Sequence, residues 1–314
     1  MHERTFQRGP RAGILAAAAG AVLLLAGCGS AGTGQAPASA GAGPVEVATS
    51  TDVYGDMVHV IGGDKVHITP IIHSAGQDPH SYQATPQDKL AVSKARLLIE
   101  NGGGYDDFFS TLAANNTGDH QLIDVTKLSG LSQQSTTAAA DFNEHLWYNF
   151  DAMTAFADTV SVNLARIDPA NTASYTANTD RFKADLGKLK DRTAALKAHH
   201  TGDAVAITEP VPLYLLQAAG LVNKTPDEYS HAIEAGQDVP VPVLKETLDL
   251  ISGKAVKFLA YNDQTEGPET KELKDAATKA GVPVVDFTET LPEGQNYLQW
   301  MNSNVDHIEK SLQG

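Results

Sequence analysis

Residues 71–86 read Ile71-Ile72-His73-Ser74-Ala75-Gly76-Gln77-Asp78-Pro79-His80-Ser81-Tyr82-Gln83-Ala84-Thr85-Pro86. The segment begins as an apolar strand, breaks at Gly76 and presents His80 on a loop before Pro86 begins a helix. Pro79 restricts its own φ and disfavours the helical region for Asp78, which makes the loop stiff where the imidazole projects. Ligands of open α/β sheets bind beyond the carboxyl ends of strands, so this loop is a candidate ligand site. The alternative is a lone surface histidine in a turn.

The same alternation of strand and helix extends over both halves of the chain. Strands are predicted at 45–50, 65–72, 96–100 and 121–126, and then at 204–208, 256–261 and 282–287. Helices are predicted at 52–61, 86–95, 105–114, 152–167, 213–219, 242–252, 268–280 and 297–312. Alternating strands and helices are typical of α/β proteins, in which mostly parallel sheets are covered by helices on both faces.

Residues 168–200 carry the pattern of one long amphipathic helix. Asp168-Pro169 is a helix start, with an N-cap carboxylate and a proline at the first helical position. Residues suited to a buried face then recur at spacings of seven, four and three in the stripe Tyr175, Phe182, Leu186, Leu189, Thr193 and Leu196. About 30 residues at 1.5 Å each span about 45 Å, the reach of two small domains. We interpret the helix as a rigid connector between two lobes, with a helix packed inside one lobe as the alternative.

The first 27 residues have the pattern of a secretory signal peptide, in which three arginines precede the apolar run 14–26. A membrane-spanning helix would need about 20 apolar residues. Leu25-Ala26-Gly27-Cys28 resembles the lipobox of bacterial lipoproteins, which implies cleavage before Cys28 and lipidation of its thiol. An ordinary signal peptide is the alternative. Residues 28–44 then form a flexible linker of small and polar residues.

Composition excludes several classes of function. The net charge is −15, and removal of residues 1–27 makes it two units more negative because three arginines and one glutamate leave. Nucleic acid is excluded as a partner because phosphate backbones bind clustered Lys and Arg. Cys28 is the only cysteine, so a disulfide within the chain and a thiolate metal site are excluded. Copper(I) and iron–sulfur clusters are therefore not expected ligands.

Carboxylates follow two of the predicted strands in the second half. Glu209 comes after the strand at 204–208, and Glu289 comes after the strand at 282–287. Pro210 stiffens the backbone beside Glu209 as Pro79 does beside His80. Two imidazoles from the first half and two carboxylates from the second would form a four-ligand site between lobes. Because two carboxylates neutralise a divalent cation, such a site need not bury net charge.

Four motifs stand in a characteristic order: Gly76-Gln77-Asp78-Pro79-His80-Ser81-Tyr82, Asn143-Glu144-His145-Leu146-Trp147-Tyr148, Thr208-Glu209-Pro210-Val211-Pro212-Leu213-Tyr214-Leu215-Leu216 and Val285-Asp286-Phe287-Thr288-Glu289-Thr290-Leu291-Pro292. With them the mature chain resembles the zinc- and manganese-binding solute-binding lipoproteins of ABC importers. The resemblance implies two α/β lobes with mostly parallel sheets joined by one long backbone helix, the cluster A-I architecture of periplasmic binding proteins. The expected parts are an N-terminal lobe at 45–167, the connecting helix at 168–200 and a C-terminal lobe at 201–314.

Carried over by motif, the resemblance implies that His80, His145, Glu209 and Glu289 bind the metal in the cleft between lobes. Asp263 also follows a strand and is the alternative fourth ligand. No catalytic residue is expected, and the metal, Zn²⁺ or Mn²⁺, is cargo. Carboxylate ligands favour manganese, whereas the general order of divalent affinities favours zinc, so both ions stay open, as does iron.

The resemblance also implies partners and a location. A membrane permease and a cytoplasmic ATPase of an ABC importer are the expected partners of a monomeric binding protein. Export and lipidation of Cys28 would anchor the chain to the outer face of the cell membrane.

Three positions depart from the pattern of the resembled family. Gln83, Glu144 and Asn149 stand where its members often have Glu, Pro and Asp. Asn149 is expected to orient His145 only as a neutral hydrogen-bond partner. Glu144 is interpreted as a solvated loop carboxylate, with an additional ligand as the alternative. Residues 221–241 receive no predicted element, and His231 within them is placed in a loop.

Two other classes of function are alternatives. A secreted, lipid-anchored metallohydrolase would need three protein ligands, an open water position and a general base. Four ligands drawn from two lobes leave little room for a substrate, and the chain has no His-Glu-x-x-His motif. A receptor for a metal chelate or a small organic molecule would need an aromatic or arginine-lined cleft, and arginine is scarce in the second half.

Overall fold

The computed structural model describes residues 43–74, 76–133 and 142–313, which belong to one compact unit. The predicted signal peptide at 1–27, the lipidation site Cys28 and the linker up to residue 42 lie outside the described residues. None of the helices in the described ranges is long and apolar enough to cross a membrane.

The first sheet is built from four parallel strands: β1 (Val45–Thr51), β2 (Val66–Ile72), β3 (Leu97–Glu100) and β4 (Gln121–Asp124). Their spatial order is β2-β1-β3-β4. The helices of this half are α1 (Asp52–Gly62), α2 (Pro86–Lys94), α3 (Asp107–Ala114), α4 (Val125–Ser129) and α5 (Phe150–Ile167). All four residues of β3 are buried, as expected for an inner strand that helices cover on both faces.

The second sheet repeats this order. Its parallel strands are β5 (Ala204–Ile207), β6 (Val222–Asn223), β7 (Leu259–Asn262) and β8 (Val284–Phe287), arranged as β6-β5-β7-β8. Its helices are α7 (Leu213–Ala218), α8 (Asp227–Glu234), α9 (Val241–Ser252), α10 (Pro268–Ala280) and α11 (Tyr297–Leu312). The two parallel sheets with their covering helices confirm the predicted α/β class.

The strand order positions the candidate site. In both sheets the chain runs outward from the first strand and then crosses to that strand's other side. Open α/β sheets bind ligands at this reversal, beyond the carboxyl ends of the strands. The residues directly after β5 and at the end of β7 therefore lie at the reversal of the second sheet. They include Glu209 and Asn262.

The helix predicted from the apolar stripe is α6 (Thr172–His200). Its buried residues are the predicted ones together with Thr179: Tyr175, Thr179, Phe182, Leu186, Leu189, Thr193 and Leu196. The helix packs against α1 and α5 of the first half and against α7 and α11 of the second. It therefore contacts both halves, as a connector would, and one apolar core continues from the first sheet through α6 to the second.

The start of this helix differs from the prediction. Pro169–Asn171 form a 3-10 turn before α6 begins at Thr172. The carboxylate of Asp168 does not cap the helix, because it accepts hydrogen bonds from the Tyr175 hydroxyl at 2.8 Å and from Asn171 Nδ2 at 2.6 Å. These bonds fix the entry of the chain into α6.

Two segments of the structure were not predicted. Residues 125–129 form α4, whereas the preceding strand was expected to continue to residue 126. Residues 221–241 contain β6 and α8, so His231 lies in a helix and its assignment to a loop was wrong. Both helices are short. Helix α8 follows Pro226, which supplies no side-chain cap, so its local signal is weak. Helix α4 does carry local signals, because Asp124 accepts from the backbone N–H of Lys127 at its start and the left-handed Gly130 follows its end.

Candidate metal centre

A cleft of about 1000 Å³ is lined by the loops that follow β2, β5 and β8 and by the loop that precedes α5. Its ionisable lining residues are Asp78, His80, Glu144, His145, Glu209, Asp227, His231, Glu234 and Glu289. All four predicted ligands, His80, His145, Glu209 and Glu289, line this one cleft.

His80 is held by its own loop. Asp78 accepts hydrogen bonds from the backbone N–H of His80 at 3.0 Å and from the Ser81 hydroxyl at 2.7 Å. The imidazole packs edge-on against the Tyr105 ring, with 5.2 Å between centroids. Its Nε2 lies 3.3 Å from Oε1 of Glu144. The stiffness predicted from the proline is thus reinforced by an aspartate turn that aims the imidazole into the cleft.

His145 is buried, with only 1% of its surface exposed. Its ring packs edge-on against Tyr105 and Trp147, at centroid distances of 6.1 and 5.2 Å, and these two rings also contact each other. Burial, and to a smaller extent the nearby His80, lower the pKa of His145 to about 3. The imidazole is therefore neutral near pH 7, the form in which histidine binds metal.

Asn143, and not Asn149, orients this imidazole. Asn143 Oδ1 lies 2.7 Å from His145 Nδ1, while its Nδ2 donates to the Pro210 carbonyl at 3.1 Å. With the amide oriented in this way, Nδ1 carries the proton and Nε2 keeps its lone pair for a ligand. Asn149 instead caps α5, accepting from the backbone N–H groups of Asp151 and Ala152, so its expected role was wrong.

Glu209 and Glu289 are linked through one amide group. Asn262 Nδ2 donates to Glu289 Oε1 at 2.8 Å and also to Glu209 Oε2. Glu289 Oε2 lies 3.9 Å from His145 Nε2. The side chain of Asn262 thus holds two carboxylates from different loops close to the metal-capable nitrogen of His145.

Asp263, the alternative fourth ligand, does not join this group. Its carboxylate lies 3.8 Å from Lys274 Nζ, and 58% of the side chain is exposed. Asp263 is not among the lining residues of the cleft. Successive side chains of an extended segment point in opposite directions, so a β7 end that turns Asn262 into the cleft turns Asp263 out of it.

Two further carboxylates enter the cleft. One donor atom each from Glu144, His145 and Glu234 lie within 4.8 Å of one another. Glu144 is 8% exposed, so the interpretation as a solvated loop carboxylate was wrong. Glu234 was missed altogether. The sequence does contain a signal for it, because Asp227, His231 and Glu234 recur at i, i+4 and i+7, on one face of α8.

Burial, with a smaller contribution from neighbouring charges, raises the pKa values of these carboxylates. Burial raises the pKa of Glu209 to about 8, and the neighbouring Glu289 adds to the rise. Burial and the charge of Glu144 raise the pKa of Glu234 to about 9. Burial also raises the pKa of Glu289 and Glu144. Without a cation, the cleft therefore retains protons at pH 7 that an unfolded chain would release.

These shifts predict that the metal-free protein loses stability as pH rises from 7 to 9. Folded Glu209 and Glu234 hold protons in this window, whereas their unfolded counterparts have lost theirs. The free energy of unfolding should fall by about 1.4 kcal/mol for each pH unit and each retained proton. Urea unfolding of chelator-treated protein at several pH values measures this slope.

A matched variant and a metal-loaded sample sharpen the pH experiment. Glu209→Gln removes one titrating group and should flatten the slope. Metal requires deprotonated ligands, so the stabilisation by added Mn²⁺ should grow over the same window. If the stability of the metal-free protein is constant or rises between pH 7 and 9, Glu209 and Glu234 do not retain protons in the folded state as predicted.

Comparisons with known proteins agree on one family. The family model described as "Zinc-uptake complex component A periplasmic" matches residues 47–311. The iron ABC transporter substrate-binding lipoprotein MtsA of Streptococcus pyogenes serotype M1 is 26% identical, over 97% of this chain and 99% of that protein. The manganese ABC transporter substrate-binding lipoprotein scaA of Streptococcus gordonii is 24% identical, over 85% of this chain and 89% of that protein.

Solved structures share the fold. The periplasmic zinc-binding protein TroA from Treponema pallidum superposes with a TM-score of 0.71 at 20% identity, covering 86% of this chain and 99% of that chain. FpvC from Pseudomonas aeruginosa, in complex with Mn²⁺, superposes with a TM-score of 0.69 at 22% identity, covering 86% of this chain and 98% of that chain. Because the family model spans most of its length, this chain belongs to the zinc-uptake complex component A family, whose members are substrate-binding proteins of ABC importers and not enzymes.

Proposed function

We propose that this chain captures a divalent transition-metal cation, Zn²⁺ or Mn²⁺, through His80, His145, Glu209 and Glu289 and delivers it to an ABC importer. The observation that carries the proposal is the convergence of these four side chains, from four separate loops, on one cleft. Two neutral imidazoles and two carboxylates balance the charge of a divalent ion. Family membership excludes the alternative of a metallohydrolase.

The names of this chain's relatives point to divalent transition-metal ions as the cargo. MtsA is named for iron, scaA for manganese and TroA for zinc. A nitrogen and oxygen donor set without thiolates suits all three divalent ions. Zinc exceeds manganese and iron in the general order of divalent affinities, so Zn²⁺ should bind in solution whichever ion is transported.

We further propose a lobe at 45–167, a connecting helix at 168–200 and a second lobe at 201–314, with the cation held between the lobes. The loops of the site are bonded across this division. Tyr148 donates its hydroxyl to the Thr288 carbonyl at 2.8 Å, and Tyr214 donates to the Asn143 carbonyl at 2.8 Å. Together with α6, these bonds resist wide opening, so capture should involve only modest movement.

Delivery requires a permease and an ATPase in the membrane. Relatives are named ABC transporter substrate-binding lipoproteins, which supports export and an anchor at Cys28. The permease would have to distort the cleft and withdraw at least one ligand before the cation leaves, because the loops are held together in the free protein.

Metal binding can be tested by thermal unfolding of chelator-treated protein with added Zn²⁺ or Mn²⁺. An ion at 100 times its Kd should stabilise the folded chain by about 2.7 kcal/mol, because it binds only the folded state. At roughly 2–4 °C per kcal/mol for a chain of this size, Tm should rise by roughly 5–10 °C. Glu209→Ala and Glu289→Ala should abolish most of the shift at the same metal concentration.

Asp263→Ala is the matched control, since it removes a carboxylate beside the site that points away from the cleft. Its metal-induced shift should equal that of the wild type. A wild type that shows no shift with either ion would overturn the proposed function. A loss in Asp263→Ala equal to that in Glu289→Ala would overturn the ligand assignment.

A further inference from the structure

The cleft holds more carboxylates than a four-ligand site uses. Glu144 and Glu234 lie with His145 in a group whose donor atoms are within 4.8 Å of one another. Donor atoms on one cation lie at most about 4.4 Å apart when each is about 2.2 Å from the ion. The separations in this group therefore exceed that limit by less than 1 Å. Glu144 Oε1 is also 3.3 Å from His80 Nε2, so this group adjoins both imidazoles.

A carboxylate oxygen of this group lacks a hydrogen-bond partner among the described residues. The atom is Glu234 Oε1, which is buried. Its nearest imidazole nitrogen, His145 Nδ1, is 4.0 Å away and is already bonded to Asn143 Oδ1. The buried Tyr105 hydroxyl lies near the Glu289 carboxylate, and its ring packs against both His80 and His145. Buried polar groups without hydrogen bonds are costly and are commonly completed by an ion or water.

The position of Glu234 increases this cost. Glu234 is the last residue of α8, where the helix dipole is negative and disfavours an anion. The cleft lining contains six carboxylates and three imidazoles and, in the part of the chain that the structure describes, neither lysine nor arginine. Apart from His80, whose imidazole faces Glu144, only a cation from solution can neutralise a carboxylate held in these surroundings without a proton.

We propose that Glu234, together with Glu144, coordinates the cleft cation directly, so that the cargo is a hard divalent ion of the Mn²⁺ and Fe²⁺ class with more than four protein donors. This inference rests on the proposed function, whose four ligands supply the rest of the coordination sphere. Zinc is satisfied by four donors in tetrahedral geometry. Harder cations prefer oxygen donors, and hard ions such as Ca²⁺ and Mg²⁺ take six or more. The added carboxylates should therefore contribute more to the affinity for Mn²⁺ than to the affinity for Zn²⁺.

The experiment measures Mn²⁺ and Zn²⁺ affinities of chelator-treated protein by calorimetry, with a competing chelator where binding is tight. Glu234→Gln and Glu144→Gln keep the shape of each side chain and remove its charge. Each substitution should lower the affinity for Mn²⁺ by about tenfold or more, the range seen when a supporting group of a metal site is lost. The affinity for Zn²⁺ should fall by less than about threefold. Glu228→Gln, on the exposed side of α8, is the matched control and should change neither affinity.

Each outcome of this experiment decides the inference. Equal losses of both ions in Glu234→Gln would overturn it, because general attraction of charge does not distinguish Mn²⁺ from Zn²⁺. Affinities equal to those of Glu228→Gln would overturn it as well. If the wild type binds the metal ions and Glu209→Ala does not, either of these two results for the Gln variants overturns this inference and leaves the proposed function standing. A wild type that binds neither ion removes the proposed function too. Thermal unfolding of the metal-free variants verifies that each one folds.

Discussion

Replacing His145 with alanine is expected to lower the affinity for Mn²⁺ and Zn²⁺ by more than about a hundredfold. Loss of a group that merely supports a ligand costs about ten- to a hundredfold, and His145 is a proposed ligand itself. Its ring is enclosed by Tyr105 and Trp147 and is 1% exposed. Bulk water does not readily replace a nitrogen donor at such a position. His80→Ala should cost less, because 34% of the His80 side chain is exposed and water can take its place.

Added imidazole provides a specific check on His145→Ala. The deletion leaves a ring-sized space beside the Tyr105 and Trp147 rings, and free imidazole that enters it can supply the missing donor. Part of the lost affinity should return with millimolar imidazole, while His80→Ala should respond less. His307→Ala, on the exposed face of α11, should bind like the wild type. Wild-type affinity in His145→Ala would contradict the proposed site.

Replacing Phe182 with alanine is expected to destabilise the folded chain by about 3–5 kcal/mol, the range for deleting a buried aromatic ring. Phe182 is 1% exposed on α6, and its ring lies 6.1 Å from the ring of Tyr297 on α11. The Tyr297 hydroxyl in turn donates to the Trp147 carbonyl at 2.6 Å, two residues from His145. Deleting the ring therefore opens a cavity at the point where the connector holds the second half against the His145 loop.

Urea unfolding of the metal-free protein measures this loss as a lower midpoint with an unchanged slope. Asp180→Ala, on the exposed side of α6, should stay within about 0.5 kcal/mol of the wild type. If α6 were peripheral to the core, Phe182→Ala would behave like this control. A saturating metal should recover part of the lost stability, because it binds only the folded state.

The fold was largely predictable because local patterns report which face of an element is buried. The stripe from Tyr175 to Leu196 predicted the buried face of α6. Short apolar runs alternating with helical patterns predicted the positions of seven of the eight described strands. The exceptions are short: β6 has two residues, α4 has five, and α8 has eight and begins without a side-chain cap. Elements of that length depend on tertiary packing more than on their own sequence.

The site was predictable only in part. Motifs led to His80, His145, Glu209 and Glu289, and the structure brings all four to one cleft. The partner that orients His145 was misassigned, because Asn149 and Asn143 both lie near it in sequence and only the folded loop shows which amide reaches Nδ1. Asp263 and Asn262 are adjacent, and the direction of the strand end decides that Asn262 faces the carboxylates.

The sequence by itself determined which segments are strands and helices, which long helix joins the halves, and which histidines and glutamates follow strand ends. These features depend on periodicity and on backbone preferences that act over a few residues. Only the tertiary structure decided that Glu144 is buried, that Glu234 enters the cleft, and that Asn143 bonds to Pro210, 67 residues away. Such contacts depend on how the two halves of the chain pack against α6, and no local pattern records the distance between residues on different halves.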